Sequence, residues 1–217
     1  QKKCFNKKML EIPSEKFLDK LASSAATPGG GSVAALMGSM SAALVSMVGN
    51  LTVGKKKYSD VEDEVNDIIK RSEDLRQKLQ EAVAQDVEAF DSVMAAYGLP
   101  KNTQEEQVLR SEEIQKRLVD AIQAPLDCAK LSCEVLPLSE RIAEIGNINI
   151  ISDAGVAALA ARAAFKSAAL NVFVNAAALS DKDLATSKIR EVRELMKIVE
   201  NIEGKVFIKV SDTILKN

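Results

Sequence analysis

Between residues 21 and 54 the chain carries no charged side chain, and most of that span is apolar or small. Its core, residues 27–54, opens on a proline and three glycines and continues in Ala, Val, Leu, Met, Gly and Ser. A helix beginning near Ser32 gathers Val33, Leu36, Met37, Met40, Leu44, Met47, Val48 and Leu51 on one face. The other face gathers Gly31, Ala35, Gly38, Ser39, Ala42, Ser46, Gly49 and Asn50. The large side chains are expected to fill a core, and the small ones to let a second backbone approach closely. A helix that is apolar all round belongs at the centre of its domain. Residues 33–53 are long enough to cross a bilayer. Ser, Asn, Thr and Gly interrupt them, however, and no aromatic residue marks either end, so the span reads as a buried helix rather than a membrane segment.

The period is helical along the rest of the 217 residues. It predicts helices over 14–24, 32–54, 60–97, 103–141, 153–179 and 181–215. Pro125 is expected to kink the fourth, and Pro137 to disturb its last turn. Ser59 with Glu62, and Thr103 with Glu106, have the spacing of capping boxes. Ser180 is placed to cap the last helix. The fifth helix is nearly all alanine and other apolar residues, with only Arg162 and Lys166 charged after its first residue. These elements predict one all-α domain over 1–217, with 1–13 as an N-terminal extension, folded as an elongated bundle of about six helices. The two poorly charged helices offer more smooth surface than a monomer covers, which predicts a homodimer.

Composition narrows the chemistry. Twenty-nine Lys and Arg against 31 Asp and Glu give a net charge of -2, so nothing draws the chain in bulk to nucleic acid or an anionic membrane. There is no Trp, and aromatics are 4%, too few for stacking platforms along a single strand. The cysteines, Cys4, Cys128 and Cys133, are odd in number and form no CxxC pair. They read as neither a disulfide framework nor a zinc site, and they fit a reducing cytoplasm. No secretory apolar region precedes Pro13. There is no His, which excludes His-dependent triads and His-ligated metals, and no metal cofactor is expected. Proton chemistry falls to Asp, Glu, Lys, Tyr or Cys.

Asp86 is therefore conspicuous. The third helix carries an apolar stripe of Val61, Val65, Ile68, Leu75, Leu79, Ala82, Phe90, Val93 and Tyr97, and only Ser72 and Asp86 interrupt it. A carboxylate turned inward must be paired, hydrogen-bonded or protonated. Position alone leaves Asp86 as either a general acid or half of a buried ion pair. Asp153 shares a helix face with Asn171, with Asn175 one turn further and Ala157, Ala160, Ala164 and Ala168 between. Such a line suits a polar planar ligand, or else an N-cap and inter-helix amide bonds. Gly29, Gly30, Gly31 and Ser32 suit an anion-binding nest at a helix N-terminus, or a tight chain reversal. No Lys-Ser/Thr pair follows at P-loop spacing. Lys55, Lys56, Lys57, Lys101 and Arg110 suit an acidic ligand tail or plain solvated charge. Cys128 and Cys133 read as filler.

The stretches TPGGGSVAALMGSMSAALVSMVGNLT, QDVEAFDSVMAAYGLPK, APL, GNINIISDAGVAALAARAA and ALNVFVNAAAL together resemble the formiminotransferase-cyclodeaminase C-terminal family, over about residues 14–215. The resemblance implies an all-helical, dimer-forming fold and a tetrahydrofolate derivative as substrate. It implies closure of 5-formimino-tetrahydrofolate to 5,10-methenyl-tetrahydrofolate with loss of ammonia. The family also includes a methenyltetrahydrofolate cyclohydrolase, which gives an alternative reaction. A non-catalytic folate-binding or scaffold protein is the alternative from another class. Under the resemblance Asp86 is the proton donor, and Asn147, Asn149 and Asp153 orient the pterin. Asn171 and Asn175 join the binding set, and the glycine loop or nearby lysines meet the glutamate tail. In the family a proline often follows the first Asn of the Gly-Asn stretch; here it is Ile148.

Overall fold

The computed structural model describes residues 12–216. Cys4 and most of the predicted 1–13 extension lie outside them. Among the described residues seven α-helices follow in order: α1 Ser14–Leu21, α2 Gly30–Asn50, α3 Glu62–Tyr97, α4 Gln104–Ala121, α5 Gln123–Ile145, α6 Ile151–Ala178 and α7 Lys182–Lys216. Short 3-10 turns occupy Lys56–Val61 and Ile148–Ile150. Among the described residues there is no strand, so the expected all-α bundle is the fold observed.

α2 lies at the centre, antiparallel to both α3 and α6, and its serines record the register. Against α3, Ser32 meets Asp86, Ser39 Oγ donates to the Arg76 carbonyl at 3.4 Å, and Ser46 Oγ lies 2.8 Å from Ser72 Oγ. Against α6, Ser41 Oγ donates to the Ala157 carbonyl at 2.7 Å. Ser72, the other polar residue of the α3 stripe, is thus a buried partner for Ser46. Close approach explains the small residues. A Cβ at Gly38 would fall 2.9 Å from Leu79 Cδ2 and 3.0 Å from Ser132 Oγ.

The two faces of α2 are used the other way round from the sequence expectation. Gly31, Ala35, Gly38, Ser39, Ala42, Ser46 and Gly49 are buried. Val33, Leu36, Met37 and Leu44 are half-buried, and Met40, Met47 and Leu51 are exposed. Of the large face only Val48 is fully interior. The physical reason is distance: a Met or Leu between α2 and its neighbours would push them apart, whereas Gly, Ala and Ser let whole helix faces touch. α6 repeats the pattern, burying Ala154, Ala157, Ala161, Ala164 and Ala168 while exposing Val156, Leu159, Leu170 and Val174. By length and composition Gly30–Asn50 and Ile148–Ala178 are apolar enough to span a membrane, yet 56% and 44% of their apolar windows are buried inside the bundle.

The predicted fourth helix is two helices. Pro125 has no N–H to offer the Ala121 carbonyl four residues back. The chain breaks at Ile122, and the Asn175 carboxamide donates to that carbonyl at 3.1 Å. Pro137 is tolerated inside α5, which runs on to Ile145. The Thr103–Glu106 capping box forms. The Ser59–Glu62 box does not: Ser59 Oγ donates to the Lys56 carbonyl within the 3-10 turn, and Glu62 accepts from the Gly54 N–H. Asp181, not Ser180, caps α7, its Oδ1 accepting from the N–H groups of Asp183 and Leu184 at 3.1 and 2.9 Å. Arg162 and Lys166 of α6 pair with Glu203 and Glu200 of α7 at 2.8 and 2.6 Å.

Candidate active site

The N-terminus of α2 meets the C-terminal half of α3. Gly29 precedes the helix in extended conformation, with no side-chain cap, and its carbonyl accepts the first helical bond from Val33 at 3.0 Å. The N–H groups of Gly30, Gly31 and Ser32 therefore have no acceptor within the helix. Asp86 comes to them from α3. Ser32 Oγ donates to Asp86 Oδ2 at 2.8 Å, and the Ser32 main chain adds a second bond. A Cβ on Gly31 would overlap the Asp86 carboxyl group. The anion that the glycine stretch suits is thus the chain's own carboxyl, supplied across the helix interface.

Two effects oppose each other at Asp86. Burial disfavours the carboxylate and is the larger, so the carboxyl is held above the ordinary aspartate value of 3.8. The Ser32 bonds and the positive end of α2 favour the carboxylate. Cys128 packs near it; burial, with a smaller push from Asp86, raises that thiol to about 12. Cys128 stays neutral and fills space, as expected from the sequence.

Beside Asp86 opens a cleft of about 320 Å³. α3 contributes Phe90, Val93 and Tyr97, the α4–α5 break contributes Ala121 and Pro125, and α6 contributes Asn171, Val174 and Asn175. Periodicity places Phe90 and Tyr97 in the core, but they are 39% and 43% exposed and form a cleft wall. Pro125 does more than kink a helix, because the break it causes is part of the site. Asn171 lies next to Gly30, so the predicted Gly29–Ser32 stretch, Asp86, Asn171 and Asn175 do converge. Both carboxamides are anchored through nitrogen: Asn171 Nδ2 donates to the Ser167 carbonyl at 2.9 Å, and Asn175 Nδ2 to the Ala121 carbonyl. At the rim, Arg110 donates to the Tyr97 carbonyl at 3.0 and 3.3 Å and lies over the Tyr97 ring. Lys101 sits in the connection between α3 and α4 at the same end, whereas Lys55, Lys56 and Lys57 follow the opposite end of α2.

Asn147, Asn149 and Asp153 are not part of this cleft. Asn147 Nδ2 donates to the Leu51 carbonyl at 3.0 Å, its N–H donates to Thr52 Oγ1 at 2.9 Å, and its Oδ1 accepts from the Asn149 N–H. It is buried and ties the connection between α5 and α6 to the far end of α2. Ser32 and Leu51 are separated by about 28 Å of helix. The Ile148 N–H donates to the Tyr58 hydroxyl at 3.1 Å, a bond that a proline there could not make. Asp153 is in the first turn of α6 rather than at its N-cap. It shares a face with Asn171 but lies about 27 Å away along the helix. Ala157, Ala164 and Ala168 between them are buried, so the predicted alanine groove is closed.

Comparison with known proteins identifies the family and the fold. The family model described as formiminotransferase-cyclodeaminase matches residues 13–194. The chain belongs to this family. Among its relatives, the methenyltetrahydrofolate cyclohydrolase of Methylorubrum extorquens is 52% identical over 88% of this chain and 96% of its own length. The formimidoyltransferase-cyclodeaminase of Rattus norvegicus is 32% identical over 84% of this chain, which spans 34% of that longer protein. A crystal structure of formiminotetrahydrofolate cyclodeaminase from Thermotoga maritima superposes with a TM-score of 0.85 at 32% identity, covering 94% of this chain and 98% of that one. The fold of the family is therefore the fold seen here.

Proposed function

We propose that the chain is a folate-dependent one-carbon enzyme that works on the bond between the bridging carbon and a folate nitrogen, with Asp86 as its acid. The single observation that carries this is the Asp86 carboxyl, half-buried, held by Ser32 and facing a cleft with an aromatic wall. Of the two family reactions, hydrolysis of 5,10-methenyl-tetrahydrofolate is favoured by the 52% identity to a cyclohydrolase over nearly its full length. In that reaction water adds to the methenyl carbon and loses one proton to solvent. Asp86 gives its proton to the ring nitrogen as the carbon–nitrogen bond breaks. Its carboxylate then takes the hydroxyl proton as the formyl carbonyl forms. The product is 10-formyl-tetrahydrofolate, and the net release is one proton.

The second reading, deamination, is favoured by the superposition on a formiminotetrahydrofolate cyclodeaminase. There the second folate nitrogen attacks the formimino carbon, and Asp86 protonates the departing nitrogen so that it leaves as ammonia. Both reactions pass through a tetrahedral carbon beside one acid. Phe90 and Tyr97 offer flat apolar surface to a ring system. No metal enters this mechanism, and residence in the cytoplasm belongs to the same reading.

The same proposal includes a homodimer. The exposed Met40, Met47 and Leu51 of α2 and Val156, Leu159, Leu170 and Val174 of α6 form an apolar face beyond the needs of a monomer. A two-fold axis crossing α2 near its midpoint would set the two α2 helices antiparallel. The partner subunit's Asn147, Asn149 and Asp153 would then approach the Asp86 cleft, in the role the resemblance implies. Near-ultraviolet absorbance of purified protein with each of the two folates tests the function. Faster loss of the methenyl signal supports hydrolysis, and its appearance from the formimino compound supports deamination. No enzyme-dependent change with either refutes the reading.

A further inference from the structure

Asn171 and Asn175 stand one turn apart on α6, on one face of the helix. Each spends its side-chain nitrogen on a main-chain carbonyl, Ser167 for Asn171 and Ala121 for Asn175. No protein donor reaches either side-chain oxygen in these hydrogen bonds. Among the described residues no buried polar side-chain atom lacks a partner, so neither oxygen is fully buried, and both belong to residues that line the cleft. The nitrogen bond fixes which way each amide points. That of Asn175 is doubly determined, because Pro125 leaves the Ala121 carbonyl free and only the carboxamide nitrogen can satisfy it. The cleft therefore presents two acceptors without matching donors, next to the glycine pair that carries Asp86.

We propose that the side-chain oxygens of Asn171 and Asn175 hold the small two-hydrogen partner of the reaction: the attacking water in hydrolysis, or the departing ammonia in deamination. This inference rests on the functional reading above. A molecule that must give two hydrogen bonds and keep a lone pair for carbon fits two fixed acceptors. Water donates both protons to the amides, and its lone pair points at the methenyl carbon. Adding that oxygen forms one carbon–oxygen bond, and the proton lost goes to solvent. In the other direction, ammonia leaving the tetrahedral carbon keeps two N–H donors for the same oxygens once Asp86 has supplied its third proton. Asn171 and Asn175 are positioning residues here, and Asp86 remains the acid.

The test replaces Asn171 with Leu, which keeps the size and removes the acceptor, and with Asp, which restores an acceptor. Asn171 hydrogen-bonds only within its own helix, so neither change removes a hydrogen bond between helices. With 5,10-methenyl-tetrahydrofolate, Asn171→Leu is expected to lower kcat roughly 10–100-fold with little change in KM, as misplacement of a reactant does, and Asn171→Asp to recover part of it. Added ammonium salt provides the second readout. Ammonia competes for the water position in the wild type, and that competition disappears in Asn171→Leu. Absence of competition in the wild type, with hydrolysis intact, contradicts the assignment. So does a raised KM with kcat unchanged in the Leu variant, which would mean that the amides hold the pteridine. Wild-type protein that turns over neither folate overturns the functional reading and this inference with it; an active wild type with either contrary result overturns the inference alone.

Discussion

The Ser32 hydroxyl donates to the Asp86 carboxyl at 2.8 Å across 54 positions of sequence, and this bond fastens the first turn of α2 to the second half of α3. It ties the two helices together at the end of α2 that has no side-chain cap, and it holds the acid still. One contact thus serves stability and chemistry, and changes on either side of it should show in both.

Gly31 is the most sensitive position. Its missing Cβ is the space taken by the Asp86 carboxyl. Gly31→Ala should cost about 1–3 kcal/mol of stability, as overpacking does, and abolish most activity by displacing the acid. Gly204, in the middle of α7, faces open space: a Cβ added there would meet nothing within 4 Å. Gly204→Ala should stabilise by about 0.5–1 kcal/mol and leave turnover unchanged. Urea unfolding with parallel assays separates the two cases.

Ser32→Ala should move the pH profile in a fixed direction. The Ser32 bonds pull the Asp86 pKa down against burial. Without the hydroxyl the carboxyl keeps its proton to higher pH, so the alkaline limb of the rate profile shifts upward. A downward shift would contradict the assignment of Asp86 as the acid on that limb.

The raised pKa also predicts how stability depends on pH. Burial holds the folded-state value above the ordinary 3.8, so over the interval between them the folded protein keeps a proton that the unfolded chain has lost. Stability from this group therefore falls as pH rises from near 3.8 through the folded value, then levels off. Asp86→Asn removes the dependence. Its stability relative to wild type should improve across that interval and stay improved above it, as read from urea midpoints at several pH values.

The apolar face of α2 and α6 predicts the assembly. The wild type should sediment as the proposed dimer, and a charge at the centre of this face, Met40→Glu, should leave a monomer without altering helix content. If Asn147 of one subunit serves the cleft of the other, mixing inactive Asp86→Asn with inactive Asn147→Ala subunits should restore about a quarter of wild-type activity, the share of intact sites in randomly paired dimers. No recovery after exchange of subunits would confine the site to one protomer.

Much of this is legible in the chain. Asp86 stands out because an α3 stripe of period 3.6 admits only two polar residues, and both bond with serines of α2. The all-helical bundle follows from the same period. What misleads is the assumption that large apolar residues face the core. In α2 and α6 the neighbouring helices come so close that Gly, Ala and Ser take the interior, and Met40, Leu159 and Leu170 face outward. Tyr97 and Phe90 join the core stripe on paper for a related reason, since periodicity gives the direction of a side chain but not whether a cleft lies there. The separation of Asn147 and Asp153 from Asp86 is hidden because a motif names residues without saying to which end of an antiparallel pair they go. Pro125 and Asn175 carry a readable signal: a proline within a helix frees one carbonyl, and a half-buried carboxamide is a natural donor to it.

The most direct test of the account is the turnover of 5,10-methenyl-tetrahydrofolate and of 5-formimino-tetrahydrofolate by wild type and by Asp86→Asn, followed by near-ultraviolet absorbance with folding checked by circular dichroism. The account predicts enzyme-dependent change with at least one folate, reduced at least about 10²-fold in the folded variant, the scale of a lost general acid. A folded Asp86→Asn protein that matches wild type would contradict it.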